Sequence, residues 1–247
     1  MSIEENIKEL KEKFNKIKNM GYVKSIRNGS TGVGATFEYL IGKEEESFEI
    51  PDYYGIEIKT RRAYSKSSIT LFNAVPTGGT YYEVKRLRDN FGWSRNNNDI
   101  KSLYAMVSAT IKEKVGLYHY FKLDIDEFEE RIYLEIYDKN LELIDKETYW
   151  DFDILREKLL RKLQVLALVK AWTNKIDNIE HFKYYKINIY VLKSFEHFIE
   201  SLKNGKIKIN LRITTHTDDK RYGNVDSHGV GFEIHEEDLL DIYDLYR

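Results

Sequence analysis

Two carboxylates and one lysine between Pro51 and Lys59 form the part of this sequence best suited to chemistry. Glu57 and Lys59 stand two positions apart, so on a β-strand their side chains project from the same face. Asp52 lies just before them, on a turn or an adjacent strand from which its carboxylate can reach that face. Two converging carboxylates create a site for a hard divalent cation, which prefers oxygen ligands, and the main-chain carbonyl of Ile58 is a candidate further ligand.

Hydrolysis of a phosphodiester is the reaction that needs this combination of groups. A bound metal ion polarises the phosphoryl oxygen and makes water a nucleophile near neutral pH. A neighbouring lysine orients that water and offsets the negative charge that develops in the transition state. The short pattern is not specific by itself, since a chain with 41 acidic and 39 basic residues is expected to match it by chance about once. An exposed strand face that carries a Glu–Lys ion pair is the alternative interpretation.

A glycine-rich turn at residues 28–34 precedes the carboxylates. It lacks the Gly-Lys-Ser/Thr of a P-loop and the spacing of a dinucleotide-binding loop. The turn, which contains Thr31, is either an ordinary turn with a helix cap or a seat for a backbone phosphate at a helix N-terminus. On the short helix predicted to follow, Glu38 would add a third carboxylate near Asp52 and Glu57.

Positive charge is concentrated in two stretches, although the formal net charge of the chain is only −2. Residues 59–66 contain Arg61 and Arg62 but no acidic residue, on a strand edge suited to follow a phosphate backbone. Residues 203–221 are also predominantly basic. Two local basic stretches in a slightly acidic chain favour a DNA-binding protein that does not adhere indiscriminately. Ordinary solvated faces are the alternative.

The elements that must position these residues follow from hydrophobic periodicity. Period-two alternation around Glu57 and at 68–72 predicts strands, and three- and four-residue steps at 3–17 predict an amphipathic helix. The same reasoning predicts helices at 35–41, 81–91, 151–162 and 195–202, a hairpin of 118–125 with 131–137, and strands at 165–175, 184–191 and 206–214. Helices mixed with mainly antiparallel strands indicate an α+β fold.

The composition excludes several classes of site. A chain of 247 residues with 42% hydrophobic residues has the composition of one large globular domain or two closely packed lobes. The absence of cysteine excludes disulfides, thiolate zinc sites and cysteine nucleophiles, and no two histidines have the close spacing of zinc ligands. Residues 1–20 lack the apolar core of a signal peptide, and the longest aliphatic run, Val165–Val169, is too short to cross a membrane. We therefore expect a soluble, cytoplasmic protein with no membrane partner.

Several segments together resemble a known group of nucleases. Residues 29–38, then Pro51 and Asp52 with 56–60, then 68–72, are similar to the MvaI/BcnI group of restriction endonucleases, relatives of the mismatch-repair nickase MutH. The resemblance continues at 149–153, 183–186, 205–213 and 227–229. Because it covers most of the chain in the same order, it is far more specific than the short carboxylate–lysine pattern.

The resemblance implies a restriction-endonuclease-like fold, a mixed sheet flanked by helices in a two-lobed clamp around double-stranded DNA. It implies one nuclease domain over residues 1–247, with the catalytic motif in the part at about 1–105 and most base-reading elements at about 106–247. Asp52 and Glu57, with the Ile58 carbonyl, would hold Mg²⁺, for which Mn²⁺ would substitute. Lys59 would complete the triad, and Glu38 would be the extra acidic residue of a MutH-like site.

The resemblance also implies a mode of action. Similar enzymes act as monomers that nick one strand and then the other in short GC-rich sequences of the CCNGG kind. A cognate DNA methyltransferase encoded nearby would protect the host DNA without being physically required for cleavage. A MutH-like mismatch-repair nickase and a catalytically silent sequence-specific DNA-binding protein are the alternatives, and the intact triad argues against the second of these.

Base reading is expected from the segment between Arg212 and His228. An arginine there can pair with both major-groove acceptors of guanine. Similar enzymes carry another histidine and an acidic residue just before His228, where this chain has Asp226 and Ser227, and a basic residue where this chain has Glu233. The candidate DNA-binding donors of this segment are Arg212, His216, Lys220, Arg221 and His228.

Overall fold

The structure is a computed structural model that describes residues 2–42, 51–77, 81–94, 100–217 and 220–247. Its helices are α1 (Ile3–Asn19), α2 (Gly32–Leu40), α3 (Tyr81–Phe91), α4 (Phe152–Lys162), α5 (Phe195–Lys203) and the short α6 (Leu239–Ile242), which follows a 3₁₀ turn at Glu236–Asp238. Its strands are β1 (Val23–Lys24), β2 (Ile56–Arg62), β3 (Ile69–Asn73), β4 (Leu103–Val107), β5 (Glu113–Val115), β6 (His119–Asp126), β7 (Arg131–Tyr137), β8 (Leu143–Asp145), β9 (Tyr149–Asp151), β10 (Val165–Ile176), β11 (Ile179–Leu192), β12 (Ile207–Thr215), β13 (Val225–Ile234) and β14 (Tyr243–Leu245).

The chain forms two compact units, each assembled from separate pieces of sequence. The first unit comprises Met1–Ser67, Leu159–Lys193 and Tyr243–Arg247, and the second comprises Ser68–Lys158 and Ser194–Ile242. The sequence predicted a different kind of division, in which the catalytic motif lies before about residue 105 and most base-reading elements lie after it. That functional division stays a prediction.

The first unit is built on one mixed sheet in the order β1–β11–β10–β2, with β14 also paired to β11. β10 runs parallel to β2 and antiparallel to β11. Helix α1 starts with a capping box between Ser2 and Glu5 and buries the apolar stripe predicted for it. That stripe packs in a core with Ile56 and Ile58 of β2, so one face of β2 is fixed against hydrophobic residues.

The second unit contains two sheets, both antiparallel. One has the order β3–β13–β12–β4, and the other has the order β5–β6–β7–β8 with β9 paired to β7. Stacking of Phe72 on Phe232, with ring centroids 4.9 Å apart, and edge contact from Trp150 mark its aromatic core. The β6–β7 hairpin confirms the prediction made from the alternating pattern.

The predicted α+β fold is confirmed, and most predicted elements occur within a few residues of their expected bounds. Helix α2 begins at Gly32, three residues before the predicted start, and α4 begins at Phe152 directly after β9. Seven strands, most of them short, were not predicted: β1, β4, β5, β8, β9, β13 and β14. Within the described ranges, no helix is both long and apolar enough to cross a membrane.

Candidate active site

A tight turn brings Asp52 alongside Glu57. Tyr53 and Ile56 exchange main-chain hydrogen bonds of 2.9 and 2.8 Å across this turn. The two residues between them, Tyr54 and Gly55, have φ angles of 42° and 89°, the left-handed pair that a two-residue hairpin of type I′ requires. The next position before the turn, Asp52, therefore lies opposite Glu57, on the same face of the hairpin.

The carboxylate of Asp52 is fixed at the edge of β2. Its Oδ2 accepts the main-chain N–H of Ile58 at 2.9 Å. Because the N–H and C=O of one residue leave an extended strand on the same side, the Ile58 carbonyl also points to this edge and away from β10. One carboxylate and one main-chain carbonyl thus lie at the same edge, and both are oxygen donors of the kind that a divalent cation prefers.

Glu57 is the most buried carboxylate of the site, with 2% of its surface exposed. Its Oε1 accepts from Lys59 Nζ at 2.7 Å and lies 3.6 Å from Lys162 Nζ. Its other oxygen, Oε2, is buried and has no hydrogen-bond partner among the described residues. A buried carboxylate oxygen without a partner loses its hydration without compensation, which is unfavourable unless a cation occupies the position.

Burial raises the pKa of Glu57 above its ordinary value. The charge of Lys59 opposes this shift, the negative charge of Asp52 adds to it, and Lys162 opposes it from a greater distance. The two ammonium groups therefore do not fully replace the lost solvation. A divalent cation held by Glu57 and Asp52 would supply the missing positive charge.

Glu38 stands apart from this group. A methyl group added at Gly34 of α2 would lie 3.2 Å from Thr60 Oγ1 and 3.6 Å from Glu38 Oε1, so the Glu38 carboxylate lies beside Thr60. Because side chains alternate along a strand, Thr60 lies on the face of β2 opposite to that of Glu57. Within the described ranges no three acidic or histidine side chains form a metal-binding group. The expected convergence of Glu38 on the two carboxylates is therefore not seen, and its catalytic role stays a prediction.

Comparison with known proteins identifies the family. The model of the MvaI/BcnI restriction endonuclease family matches residues 11–243. The chain belongs to this family. It is similar to the structure described as restriction endonuclease MvaI–cognate DNA substrate complex, with a TM-score of 0.88 and 32% identity over 100% of this chain and 98% of that one. It is also similar to restriction endonuclease MvaI in the absence of DNA, with a TM-score of 0.65 and 31% identity over the same shares. A search of curated proteins found no match.

Family membership confirms the resemblance, the fold and the reaction class predicted from the sequence. The protein is a type II restriction endonuclease, a site-specific deoxyribonuclease. Restriction endonucleases of this kind generally use divalent metal ions, and the donors at Asp52, Glu57 and Ile58 are oxygen atoms of the type such ions prefer. The buried Glu57 Oε2, to which no described residue donates, fits that requirement.

The two arginines after the triad have partners within the protein. Arg61 of the endonuclease is 8% exposed, and its guanidinium donates to the carbonyls of Ser65 and Ser67. Arg62 is half-buried and donates to the carbonyls of Gly29 and Ser30 at 3.0 and 3.1 Å and to Glu180 at 2.8 Å. Arg61 therefore holds the chain after β2, and Arg62 holds the glycine-rich turn, in which Thr31 is exposed. DNA contact by Thr31, Arg61 and Arg62 stays a prediction.

The C-terminal candidates are distributed over β12, β13 and the turn between them. Arg212 on β12 donates to Asn73 Oδ1 at 3.1 Å, and its Nη1 lies 3.9 Å from Glu233. Glu233 is buried and accepts from Asn210 at 2.9 Å, so this departure from the expected basic residue places a negative charge near the Arg212 guanidinium. The Arg212 Nε is buried without a partner among the described residues.

The other candidates surround the β12–β13 turn. The main chain of His216 exchanges hydrogen bonds of 2.9 and 3.1 Å with Asn224 and Gly223. Lys220 and Arg221 are exposed, and the side chain of His228 lies outside the described part of the chain. These four residues remain predicted DNA contacts.

Sequence reasoning missed Lys162. It ends α4, three residues before β10 begins at Val165, and the parallel pairing of β10 with β2 places the start of β10 beside Ile56. Its ammonium is therefore the second cation near Glu57. The spacing from Glu57 carries no local signal, because the two residues meet through strand pairing between distant segments.

Proposed function

We propose that this endonuclease hydrolyses phosphodiester bonds of double-stranded DNA at the site formed by Asp52, Glu57 and Lys59, with Mg²⁺ as its ion and Mn²⁺ as an effective substitute. The observation that carries this proposal is the buried Oε2 of Glu57, which has no hydrogen-bond partner among the described residues and lies beside Asp52 and a lysine. A structural ion pair would not need that second carboxylate oxygen to be withdrawn from water without a donor.

The roles follow from the contacts of each side chain. Asp52, Glu57 and the Ile58 carbonyl would hold the ion. When bound, Mg²⁺ would supply Lewis-acid stabilisation of the phosphoryl group and lower the pKa of a water molecule. Lys59 already lies 2.7 Å from Glu57 and is 26% exposed, so its ammonium can also reach a phosphate oxygen or the attacking water. Lys162, farther from Glu57, would offset part of the negative charge of the two carboxylates before DNA arrives.

Binding of Mg²⁺ can be measured without cleavage, from the stability of the folded protein. In metal-free buffer, addition of Mg²⁺ to 100 times its dissociation constant is expected to stabilise the protein by about 2.7 kcal/mol. For a chain of this size that corresponds to a rise in Tm of roughly 5–10 °C. Differential scanning fluorimetry measures the rise, and the Asp52→Asn variant, in which one ligand has lost its negative charge, is the control that should respond much less.

Cleavage should follow the same dependence. We expect no product after exhaustive chelation, full recovery with Mg²⁺ or Mn²⁺, and DNA binding without turnover in Ca²⁺. Cleavage at the normal rate in chelated, metal-free buffer would contradict the proposal.

Base reading is proposed for the C-terminal half of the chain. The guanidinium of Arg212 donates to Asn73 and lies 3.9 Å from the carboxylate of Glu233, and an arginine positioned in this way is suited to bidentate contact with guanine. We propose that Arg212, with His216, Lys220, Arg221 and His228, reads a short GC-rich sequence of the CCNGG kind. A cytoplasmic methyltransferase encoded nearby would protect the host sites without forming part of the enzyme.

Strand order is the second testable property of this proposal. The described chain holds one Asp–Glu–Lys array, so a monomer hydrolyses one phosphodiester at a time. We propose that the enzyme nicks one strand, releases the site and rebinds to cut the other. On a supercoiled plasmid with one site, nicked circles should accumulate before linear DNA, and the initial rate should be first order in enzyme. Linear product without a nicked intermediate, together with a dimer mass in solution, would contradict monomeric action.

A further inference from the structure

A second set of side chains occupies the same sheet face as Glu57 and Lys59. In the parallel pairing of β2 with β10, Leu166 lies opposite Glu57 and Leu168 lies opposite Lys59. Since side chains alternate, Lys170 and then Trp172 follow on that face. Leu166 and Leu168 are buried, whereas Trp172 is half-exposed. The face therefore becomes accessible with increasing distance from the catalytic group.

The neighbouring strand β11 adds residues to this face through a bulge. Lys170 pairs with Lys186, while the next residue of β10, Ala171, pairs with Tyr184, so Tyr185 is an extra residue in β11. Its ring stacks on Trp172 with centroids 4.9 Å apart and an interplanar angle of 22°. The bulge thus places an aromatic ring beside the lysines.

Tyr64 completes the aromatic group. Its ring lies 5.1 Å from that of Trp172, yet 84% of its surface is exposed. The buried guanidinium of Arg61 holds the carbonyls of Ser65 and Ser67, so the turn that carries Tyr64 is tied to the sheet. An exposed aromatic ring on an anchored turn loses little conformational entropy when it is covered by a ligand.

The charge of this face is also unusual for a sheet. Lys170 and Lys186 stand directly opposite each other, and like charges in that position destabilise a strand pair. Lys183, opposite Trp172, is exposed on the same face. Beyond Leu168, the strand positions on this face are all described and include no acidic residue. The exposed Lys183 and Lys186, with no acidic residue at the neighbouring strand positions of this face, give it a positive charge suited to an anionic partner.

We propose that this lysine–aromatic face, formed by Tyr64, Lys170, Trp172, Lys183, Tyr185 and Lys186, binds the backbone of duplex DNA that flanks the cleaved sequence. The inference rests on the proposed cleavage site, because it extends that site along the same sheet face. Trp172 lies six residues along β10 from the partner of Glu57, which is about 20 Å at the rise of a strand.

That separation fits flanking DNA. At about 3.4 Å per phosphate along one strand, 20 Å corresponds to roughly six nucleotides, beyond the end of a short recognition sequence. Lysine contacts with phosphate fix the position of a duplex without reading its sequence. The aromatic rings of Tyr64, Trp172 and Tyr185 would pack against the sugars beside those phosphates. The face therefore supplies affinity to the enzyme but not base specificity.

The test compares two double variants of the full-length protein with equal loss of charge. Lys183→Ala/Lys186→Ala removes two lysines of the face. The control, Lys8→Ala/Lys16→Ala, removes two exposed lysines of α1, which packs on the opposite side of the sheet. Binding to a 40-base-pair duplex is measured in Ca²⁺ by fluorescence anisotropy from 50 to 300 mM salt, and cleavage of the same duplex in Mg²⁺ is measured at low salt.

We expect the slope of log K against log[salt] to become shallower by about 2 for the face variant and to change by less than about 0.5 for the α1 control. Shortening the duplex to about two base pairs on each side of the site should weaken wild-type binding at least tenfold but have little further effect on the face variant. An unchanged salt slope, or equal effects of shortening in both proteins, would overturn the inference. Cleavage of the long duplex by the wild-type protein in Mg²⁺ tests the catalytic proposal separately. If cleavage failed, the salt dependence of binding in Ca²⁺ could still be measured, so the two proposals can fail independently.

Discussion

Replacement of Glu57 by glutamine is expected to lower the rate of DNA cleavage by at least about a thousandfold. The amide keeps the shape of the side chain but removes the charge that holds a divalent ion, and Lewis-acid stabilisation of a phosphoryl group contributes several kcal/mol, at 1.36 kcal/mol per factor of ten. Asp52→Asn should have an effect of similar size, because Asp52 provides the second carboxylate at the edge of β2. Single-turnover cleavage of a plasmid containing the site measures both rates.

The stability of the Glu57→Gln protein distinguishes loss of chemistry from misfolding. Burial raises the pKa of Glu57 in the folded protein, so its ionised form is disfavoured there, and the cost grows as pH rises from the unfolded pKa to the folded one. A neutral amide avoids that cost. In metal-free buffer near pH 8, the variant should therefore unfold at the wild-type Tm or above it, and it should bind DNA in Ca²⁺ nearly as well as a Glu12→Gln control on the exposed side of α1.

Two results would contradict this assignment. Cleavage by Glu57→Gln within tenfold of the wild-type rate would show that Glu57 is only a structural partner of Lys59. A fall in Tm of more than a few degrees would show instead that the ionised carboxylate stabilises the fold, and loss of activity would then have a structural explanation.

The sequence predicted the fold where local pattern decides the structure. The stripe of α1 and the alternation of β6 with β7 are local periodicities, and each buries the face that its pattern requires. Strands β4 and β13 were missed because their patterns are weaker. In β13 two glycines, Gly229 and Gly231, interrupt the alternation, and both approach neighbouring side chains closely. The contacts that justify these glycines belong to other strands and leave no local signal.

The same distinction applies to the site. Glu57 and Lys59 share a strand, and the turn that returns Asp52 to them is encoded by Tyr54 and Gly55, so the triad could be predicted from one segment. Lys162 could not, since it approaches Glu57 only through pairing between β10 and β2. The burial of Arg61 was also missed, because its acceptors are main-chain carbonyls, which carry no sequence signature.

Lys59→Ala is expected to lower the single-turnover rate about a hundredfold, the scale of removing one donor that stabilises developing charge. Lys162→Ala is the matched comparison, because both ammonium groups face Glu57 Oε1 with similar exposure, but Lys162 lies 3.6 Å away and Lys59 only 2.7 Å. A lysine that acts on the reacting phosphate should change the rate constant and leave the affinity for DNA in Ca²⁺ within about threefold. We expect Lys162→Ala to lose less than about tenfold in rate, since its charge acts on Glu57 rather than on the phosphate. Equal losses in the two variants would assign both lysines to electrostatic support of Glu57, and wild-type cleavage by Lys59→Ala would remove Lys59 from the catalytic group.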